Sequence, residues 1–394
     1  MNEVFQARTR PVGDAPDWRA FRAEFPTLER KAYLASGSYG LLGRPVEAAF
    51  RRYLDDRLER GVDWGGWVAR ADAVRDGMAA LLNAGTDEIA VTTSASAGVN
   101  SVASALDFSG PRNKVVVSNL EFPTAAQIWH AQAPRGAVVE HVPEGPDGDI
   151  PLALFERAID ERTKLVQITH VCYRNGARLD VEAIVRLAHE RGALVLLDCY
   201  QSVGAMDVDV AALGCDFAVG GMLKYLLGTA GVGFLYVNRR LIADLAPTAS
   251  GWFAQRDTNA MDIFANDPAA TAARFQTGTP PVVNCYAAEA GIEMVRRIGI
   301  DPIEARIRDL TGEAMDRLAD AGCKLATPRD DARRGPQVAI RSRDAAALTE
   351  RLAERGVIVS WRAGNVRAMF HAYNDSSDLD ALIEGLTAHR ELLA

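Results

Sequence analysis

The chain has 394 residues, 48% hydrophobic and 24% charged, the balance of an ordinary globular protein with material for about two or three domains. A formal charge of −8 argues against nucleic acid as the main partner and against a polybasic membrane-surface site, since both need a basic face. Five scattered cysteines, with no CxxC pair, signal neither a zinc site nor a disulfide framework, so a reducing, cytoplasmic setting is expected.

Taken in chain order, residues 1–30 are mixed in character, carry Pro11, Pro16 and Pro26, and read as an N-terminal arm. The first residues, Met1-Asn2-Glu3-Val4-Phe5, lack the basic and apolar regions of a signal peptide. Residues 46–60 and 67–82 space their apolar side chains as helices do. From residue 89 short apolar runs follow one another at 89–92, 115–118, 138–142, 165–169, 194–198, 217–219 and 232–237. Several are continuous rather than alternating, as in strands buried on both faces. Helical stretches lie between some of them, most clearly 181–191, so the pattern predicts a mainly parallel sheet wrapped by helices. None of these runs is long enough to span a membrane. Beyond Pro280-Pro281 the character changes. A helix at 285–297 leads away from the sheet, and a smaller α+β unit follows, with helices near 302–318, 344–355 and 379–393. The expected organisation is an arm (1–30), a large domain (31–285) and a small C-terminal domain (286–394), with the N-terminal segment packing on the small one.

Three places carry chemistry. Lys224 lies in Gly220-Gly221-Met222-Leu223-Lys224-Tyr225-Leu226-Leu227-Gly228, apolar on both sides and ahead of a Gly-rich turn. Desolvation lowers a lysine's basicity, which an imine-forming lysine needs; these residues alone fit a surface lysine with apolar neighbours equally well. Asp198 closes the most apolar run, Leu194-Val195-Leu196-Leu197-Asp198, at the strand end where parallel sheets bind ligands, although a turn or N-cap aspartate would look the same. Gln201 follows three residues later. Thr92-Thr93-Ser94-Ala95-Ser96-Ala97-Gly98-Val99-Asn100 follows a strand and opens a helix, where free backbone N–H groups suit an anion; Ser96 is the side chain best placed for a phosphate.

In this order the pieces resemble the class V aminotransferase family of fold type I pyridoxal-phosphate enzymes, over roughly residues 28–390. The strongest block is residues 193–237, ALVLLDCYQSVGAMDVDVAALGCDFAVGGMLKYLLGTAGVGFLYV. The resemblance implies an α/β fold with a mainly parallel seven-stranded sheet in the large domain, pyridoxal phosphate as cofactor, and a homodimer with shared active sites. It makes Lys224 the Schiff-base lysine, Asp198 the partner of the pyridinium nitrogen and Gln201 the contact of the phenolic oxygen. Ser96, with the backbone at Ala95, becomes the phosphate cup. Phe122, in Glu121-Phe122-Pro123-Thr124, becomes the ring that stacks on the cofactor. The stretch Arg274-Phe275-Gln276-Thr277-Gly278-Thr279-Pro280 resembles the segment that reaches the neighbouring subunit's phosphate through a threonine, here Thr279.

Other stretches look like kynureninase: Tyr33-Leu34-Ala35-Ser36-Gly37-Ser38-Tyr39-Gly40, with Ser38 as a substrate contact, Lys224-Tyr225-Leu226, and Ser250-Gly251-Trp252-Phe253. Trp361-Arg362-Ala363-Gly364-Asn365-Val366-Arg367 and His371-Ala372-Tyr373-Asn374 fit that branch and an isopenicillin-N-epimerase-like one. By this pattern Arg367 binds the substrate α-carboxylate fork to fork, with Arg362 in reserve. The sequence also departs from the family. The histidine before the lysine is Leu223, and the Ser or Tyr that helps hold phosphate is replaced by Gly221, Met222 and Leu223. Tyr173 stands where an Asn would touch the phenolic oxygen, and Ala254 follows Trp252-Phe253 where kynureninase has a histidine.

The implied reaction is transamination of an α-amino acid, with Lys224 as the base that removes the α-proton. Kynureninase-like cleavage of the side chain and epimerisation are the alternatives. A non-catalytic binding relative fits poorly with the retained Lys224, Asp198 and Gln201. Desulfuration through a protein persulfide is disfavoured, because Cys323, in Asp320-Ala321-Gly322-Cys323-Lys324, sits at a helix end rather than on a small-residue loop.

Overall fold

A computed structural model describes residues 15–394; of the expected N-terminal arm, residues 1–14 lie outside the described residues. Asp17 caps the first helix, α1 (Trp18–Ala23), by accepting from the Ala20 amide at 2.9 Å. Around it Phe25 meets Tyr373 with ring centroids 4.6 Å apart, and Arg22 pairs with the buried Asp378 at 2.7 Å. These contacts fasten the start of the described chain to its C-terminal part. A short strand, β1 (Ala32–Tyr33), leads to two long helices, α2 (Arg44–Arg60) and α3 (Trp64–Leu82). Asp63 caps the second of them, and Asn83, at φ 53°, ends it in the left-handed region.

Strands and helices then alternate: β2 (Ile89–Thr92), α4 (Ala95–Ala105), β3 (Lys114–Ser118), α5 (Pro123–His130), β4 (Val138–Val142), α6 (Leu152–Ala158), β5 (Thr163–Thr169) and α7 (Val181–Glu190). After β6 (Leu194–Asp198), α8 (Val210–Leu213) and β7 (Phe217–Gly221), the chain turns straight back into β8 (Gly233–Val237). The strands form one seven-stranded sheet in the order β2-β8-β7-β6-β5-β3-β4. β8 is antiparallel to both neighbours, because residues 222–232 join it to β7 without a crossover helix; all other pairs are parallel. Every residue of β3, β7 and β8 is buried, which explains their unbroken apolar runs. Val116, Val166, Val195 and Leu197 face one apolar layer, and their neighbours Val117, Leu165, Leu196 and Val219 face the other. A fully buried Val or Leu contributes about 1.5–3 kcal/mol, so the two layers carry much of the stability. β4, at the edge, keeps Glu140 and His141 out of that core.

After α9 (Arg239–Ile242), α10 (Val282–Ile298) leads from Pro281 into α11 (Ile300–Asp320). The last part holds β9 (Gln337–Arg341), α12 (Ala345–Glu354), β10 (Val357–Ile358), β11 (Ser360–Arg362), β12 (Asn365–Met369) and α13 (Ser376–Ala388). It builds an antiparallel sheet, β11-β12-β9, over its own cluster of Leu310, Leu318, Leu348 and Leu382. Leu34 joins this cluster, and β1 pairs in parallel with β10. α13 begins three residues before the apolar spacing suggests, because Asp375 caps it in a capping box with Asp378.

Candidate active site

The carboxyl ends of β2, β3, β5, β6 and β7 open on the same edge of the large sheet. The segments that follow them converge on a cavity of about 390 Å³. Every site residue expected from the sequence lines it except Thr279, which is exposed in the segment before α10.

Lys224 stands three residues beyond β7, in a turn that the surroundings hold rigidly. The Gly40 amide donates to the Leu223 carbonyl at 2.6 Å, and a Cβ on Gly40 would overlap the Lys224 carbonyl oxygen. On the other side a Cβ on Gly291 of α10 would overlap the Leu226 carbonyl, so both neighbours must lack side chains. His371 Nε2 lies 3.0 Å from the Tyr225 carbonyl, while its Nδ1 accepts from the Ala372 amide at 2.8 Å. That assigns the neutral tautomer with hydrogen on Nε2, and burial lowers the ring to about 4. With its backbone pinned, the turn presents Lys224 to the cavity. Burial drives the ammonium down to about 8; the Asp198 carboxylate opposes the fall and the Arg367 charge assists it.

Asp198, at the last position of β6, accepts from the Tyr200 amide at 2.9 Å. Burial raises its carboxyl, while that amide and Lys224 draw it back down. A second carboxyl, Glu121, is buried nearby and accepts from Ser118 Oγ at 3.0 Å. Burial, reinforced by the Asp198 charge, raises the Glu121 carboxyl well above its usual value. Two aromatic rings flank the lysine. Nζ lies 4.2 Å from the centroid of Tyr200 and 6.0 Å from that of Phe122. Phe122, held extended ahead of Pro123 at the start of α5, meets Tyr173 edge-on at 5.1 Å.

The wall beside the lysine is the start of α4. Ser94 caps it by accepting from the Ala97 amide at 3.1 Å, so the amides of Ala95 and Ser96 remain at the open end of the helix. Gln201 is buried, and its Nε2 donates to the Gly37 carbonyl at 3.1 Å.

The opposite wall comes from the small unit. β11 and β12 form a hairpin through Ala363 and Gly364, at φ 49° and 73°, as a type I′ turn requires. The register sets Ser360 opposite Arg367 and Arg362 opposite Asn365, which puts both arginines on one face. Arg367 is buried; Nη1 donates to the Tyr173 carbonyl at 2.6 Å, and Nη2 to Ser360 Oγ at 2.7 Å and Ser38 Oγ at 3.2 Å. Three of its five N–H groups are thereby used, and Nε has no partner. Burial and the neighbouring Arg362 charge bring it down to about 10, so it is still a cation at neutral pH.

Two residues of the site carry no mark of their role in the sequence. Nothing in Glu121-Phe122-Pro123 says that the acid is buried, and Tyr200 is signalled only by its place between Asp198 and Gln201. Among the described residues no cluster of His, Cys, Asp or Glu could hold a metal ion, and no helix is long and apolar enough to cross a membrane. All five cysteines are buried and free, and burial raises each thiol.

Residues 67–382 match the family model described as aminotransferase class-V. The chain is 34% identical over 368 residues to an uncharacterized aminotransferase, YcbU, of Bacillus subtilis, covering 93% of this chain and 97% of that one. It is 29% identical to a kynureninase of Geobacillus thermodenitrificans, over 88% of this chain and 85% of the relative. Among solved structures, the cysteine desulfurase CsdA of Escherichia coli superposes with a TM-score of 0.85 at 23% identity, covering 97% of this chain and all of that one (100%), a likeness of fold.

Proposed function

We propose that this chain, which belongs to the aminotransferase class-V family, transaminates an α-amino acid, with Lys224 as both the anchor of its cofactor and the base that takes the α-proton. It is an enzyme of that family, and its cofactor is pyridoxal phosphate. The observation that carries the reading is a lysine lowered to about 8 by burial, in one cavity with the Asp198 carboxyl and a buried arginine.

The residues present fit the group. Lys224 offers an amine, Asp198 a carboxylate for the ring nitrogen, the start of α4 a seat for the phosphate, and Phe122 and Tyr200 two flat faces. When bound, pyridoxal phosphate supplies a ring that takes up the negative charge left at a substrate carbon as its proton departs. Asp198 would hold the proton on the ring nitrogen. Arg367 binds the substrate α-carboxylate with its unused N–H groups, and Ser38 and Ser360 hold the guanidinium in line. Arg362, on the same face, adds positive charge at the mouth of the cavity. Lys224 Nζ, as a neutral amine in the cavity, would take the substrate's α-proton and hold it for return. Gln201 and Tyr173 line the same cavity and would be the groups to meet the ring's phenolic oxygen.

The working unit in this reading is a homodimer. Leu58, Val62, Ile263 and Phe264 are exposed, and Trp64 packs edge-on to Trp252 at 5.4 Å, tying the start of α3 to the loop that carries Ile263. A second copy would cover this apolar surface and take Thr279 to its own phosphate seat. The free, buried cysteines support a cytoplasmic setting. They also speak against desulfuration, which needs an accessible thiolate.

Mixing the holoprotein with single amino acids tests the reading. A transaminase releases one equivalent of keto acid, stops, and resumes when a keto-acid acceptor is added. Side-chain cleavage, the reading favoured by the kynureninase relative, would instead release alanine with continuous turnover and overturn transamination.

A further inference from the structure

The turn before Lys224 offers no hydroxyl for a phosphate, since Gly221, Met222 and Leu223 precede the lysine. Gly221 is the last residue of β7, and its missing side chain has a specific cause. A Cβ built there would overlap the phenol of Tyr200, with the hydroxyl oxygen nearest. The tyrosine thus fills the space that a residue at 221 would otherwise use.

The register shows which way that hydroxyl faces. Phe217, Val219 and Gly221 share one face of β7, because side chains alternate along a strand. Val219 on that face packs against Gly98 of α4, where an added Cβ would stand 3.1 Å from it. Gly221 pairs with Gly233 of β8, and a Cβ on Gly233 would come within 2.8 Å of the Ser94 carbonyl carbon and 3.0 Å of the Ala95 amide nitrogen. The Tyr200 hydroxyl therefore lies on the α4 side of the sheet, beside the first turn of that helix. It has no hydrogen-bond partner among the described residues, although most of its ring is enclosed. Its amide is tied to Asp198 at 2.9 Å, which fixes where the side chain starts. Burial, with the Asp198 charge adding to it, pushes the phenol far above its usual range, so it is a donor at any working pH.

We infer that Tyr200 is the phosphate-anchoring residue of this enzyme: its hydroxyl, seated over Gly221, donates to the cofactor phosphate together with Ser96 and the amides at the start of α4. Residues 200 and 221 form a complementary pair, in which the tyrosine supplies the donor and the glycine supplies the room. The centroid of the same ring lies 4.2 Å from Lys224 Nζ, and the ring lines the cavity together with Phe122. One side chain thus does two tasks, flat support and phosphate donation.

The inference rests on the cofactor assignment, and the test separates the two. Full-length protein freed of cofactor is titrated with pyridoxal phosphate and with pyridoxal, which lacks the phosphate. Wild type binding neither would remove the cofactor assignment itself. Tyr200→Phe keeps the ring and deletes only the hydroxyl. It should weaken pyridoxal phosphate by roughly tenfold or more, as loss of a hydrogen bond to a charged acceptor does, and leave pyridoxal unchanged. Equal binding of both compounds to variant and wild type would overturn the inference. So would an equal loss for both, which would make Tyr200 a shaping residue only. The second variant pair moves the hydroxyl to the strand. Tyr200→Ala/Gly221→Ser should bind pyridoxal phosphate more tightly than Tyr200→Ala, with no gain for pyridoxal. A double variant no tighter than the single one would contradict the placement of the phosphate over Gly221.

Discussion

The lowered basicity of Lys224 can be tested before any substrate is known. A lysine amine reacts with an aldehyde only when neutral, so its rate rises as pH climbs through its pKa and levels off above it. With Lys224 at about 8, about one molecule in ten is neutral at pH 7; at the ordinary 10.5 it would be about one in three thousand. The difference is roughly 300-fold in reactive amine, or about 3 kcal/mol. The assay is the initial rate of pyridoxal attachment to the cofactor-free protein, trapped by borohydride and followed against pH. The expected midpoint is near 8. Asp198→Asn removes the anion that holds the ammonium up, so it should move the midpoint down and speed attachment at pH 7. Arg367→Met removes a cation that pushes it down, so it should move the midpoint up. A profile still rising above about pH 10, or an upward shift in Asp198→Asn, would refute the argument that burial and these two charges set the basicity.

The other predictions concern the surrounding walls. Arg367→Ala should raise KM for α-amino acids about 10- to 100-fold, the loss of charge-assisted hydrogen bonds, while visible cofactor absorbance persists. The same variant leaves the Tyr173 carbonyl without its donor, so thermal unfolding should come earlier by an amount worth about 1–3 kcal/mol. Cys323→Ala should keep full turnover, measured as keto acid formed, and the native protein should resist alkylation, because all five thiols are buried. Glu121→Gln removes a carboxyl whose charged form burial disfavours and which does not act on Lys224, so the pH profile of Lys224 should stay in place; a shift would show a charge at Glu121.

The large sheet was legible because its chemistry is local. Strands buried on both faces must be apolar throughout, and all seven runs are strands of one sheet. Asp198 and Ser96 show in the sequence as a strand end and a helix start, where a parallel sheet opens its ligand cleft, but Lys224 stands out only through the resemblance of residues 193–237 to the family. The fit of Tyr200 over Gly221 was not, since it joins different strands and depends on which face each residue takes. The burial of Glu121 beside Asp198 was hidden for the same reason. α13 starts three residues ahead of its apolar spacing because a capping box, not apolar spacing, sets its first turn. The pairing of Ser360 with Arg367 needed the turn geometry of Ala363 and Gly364, which two letters do not disclose without the flanking register.

Whether Lys224 carries the cofactor is read from borohydride reduction of the purified holoprotein followed by peptide mapping. A single pyridoxyl adduct on Lys224 is expected, with no reduced adduct on the Lys224→Ala chain. An adduct on another lysine, or a Lys224→Ala variant that keeps both imine absorbance and turnover, would contradict the assignment.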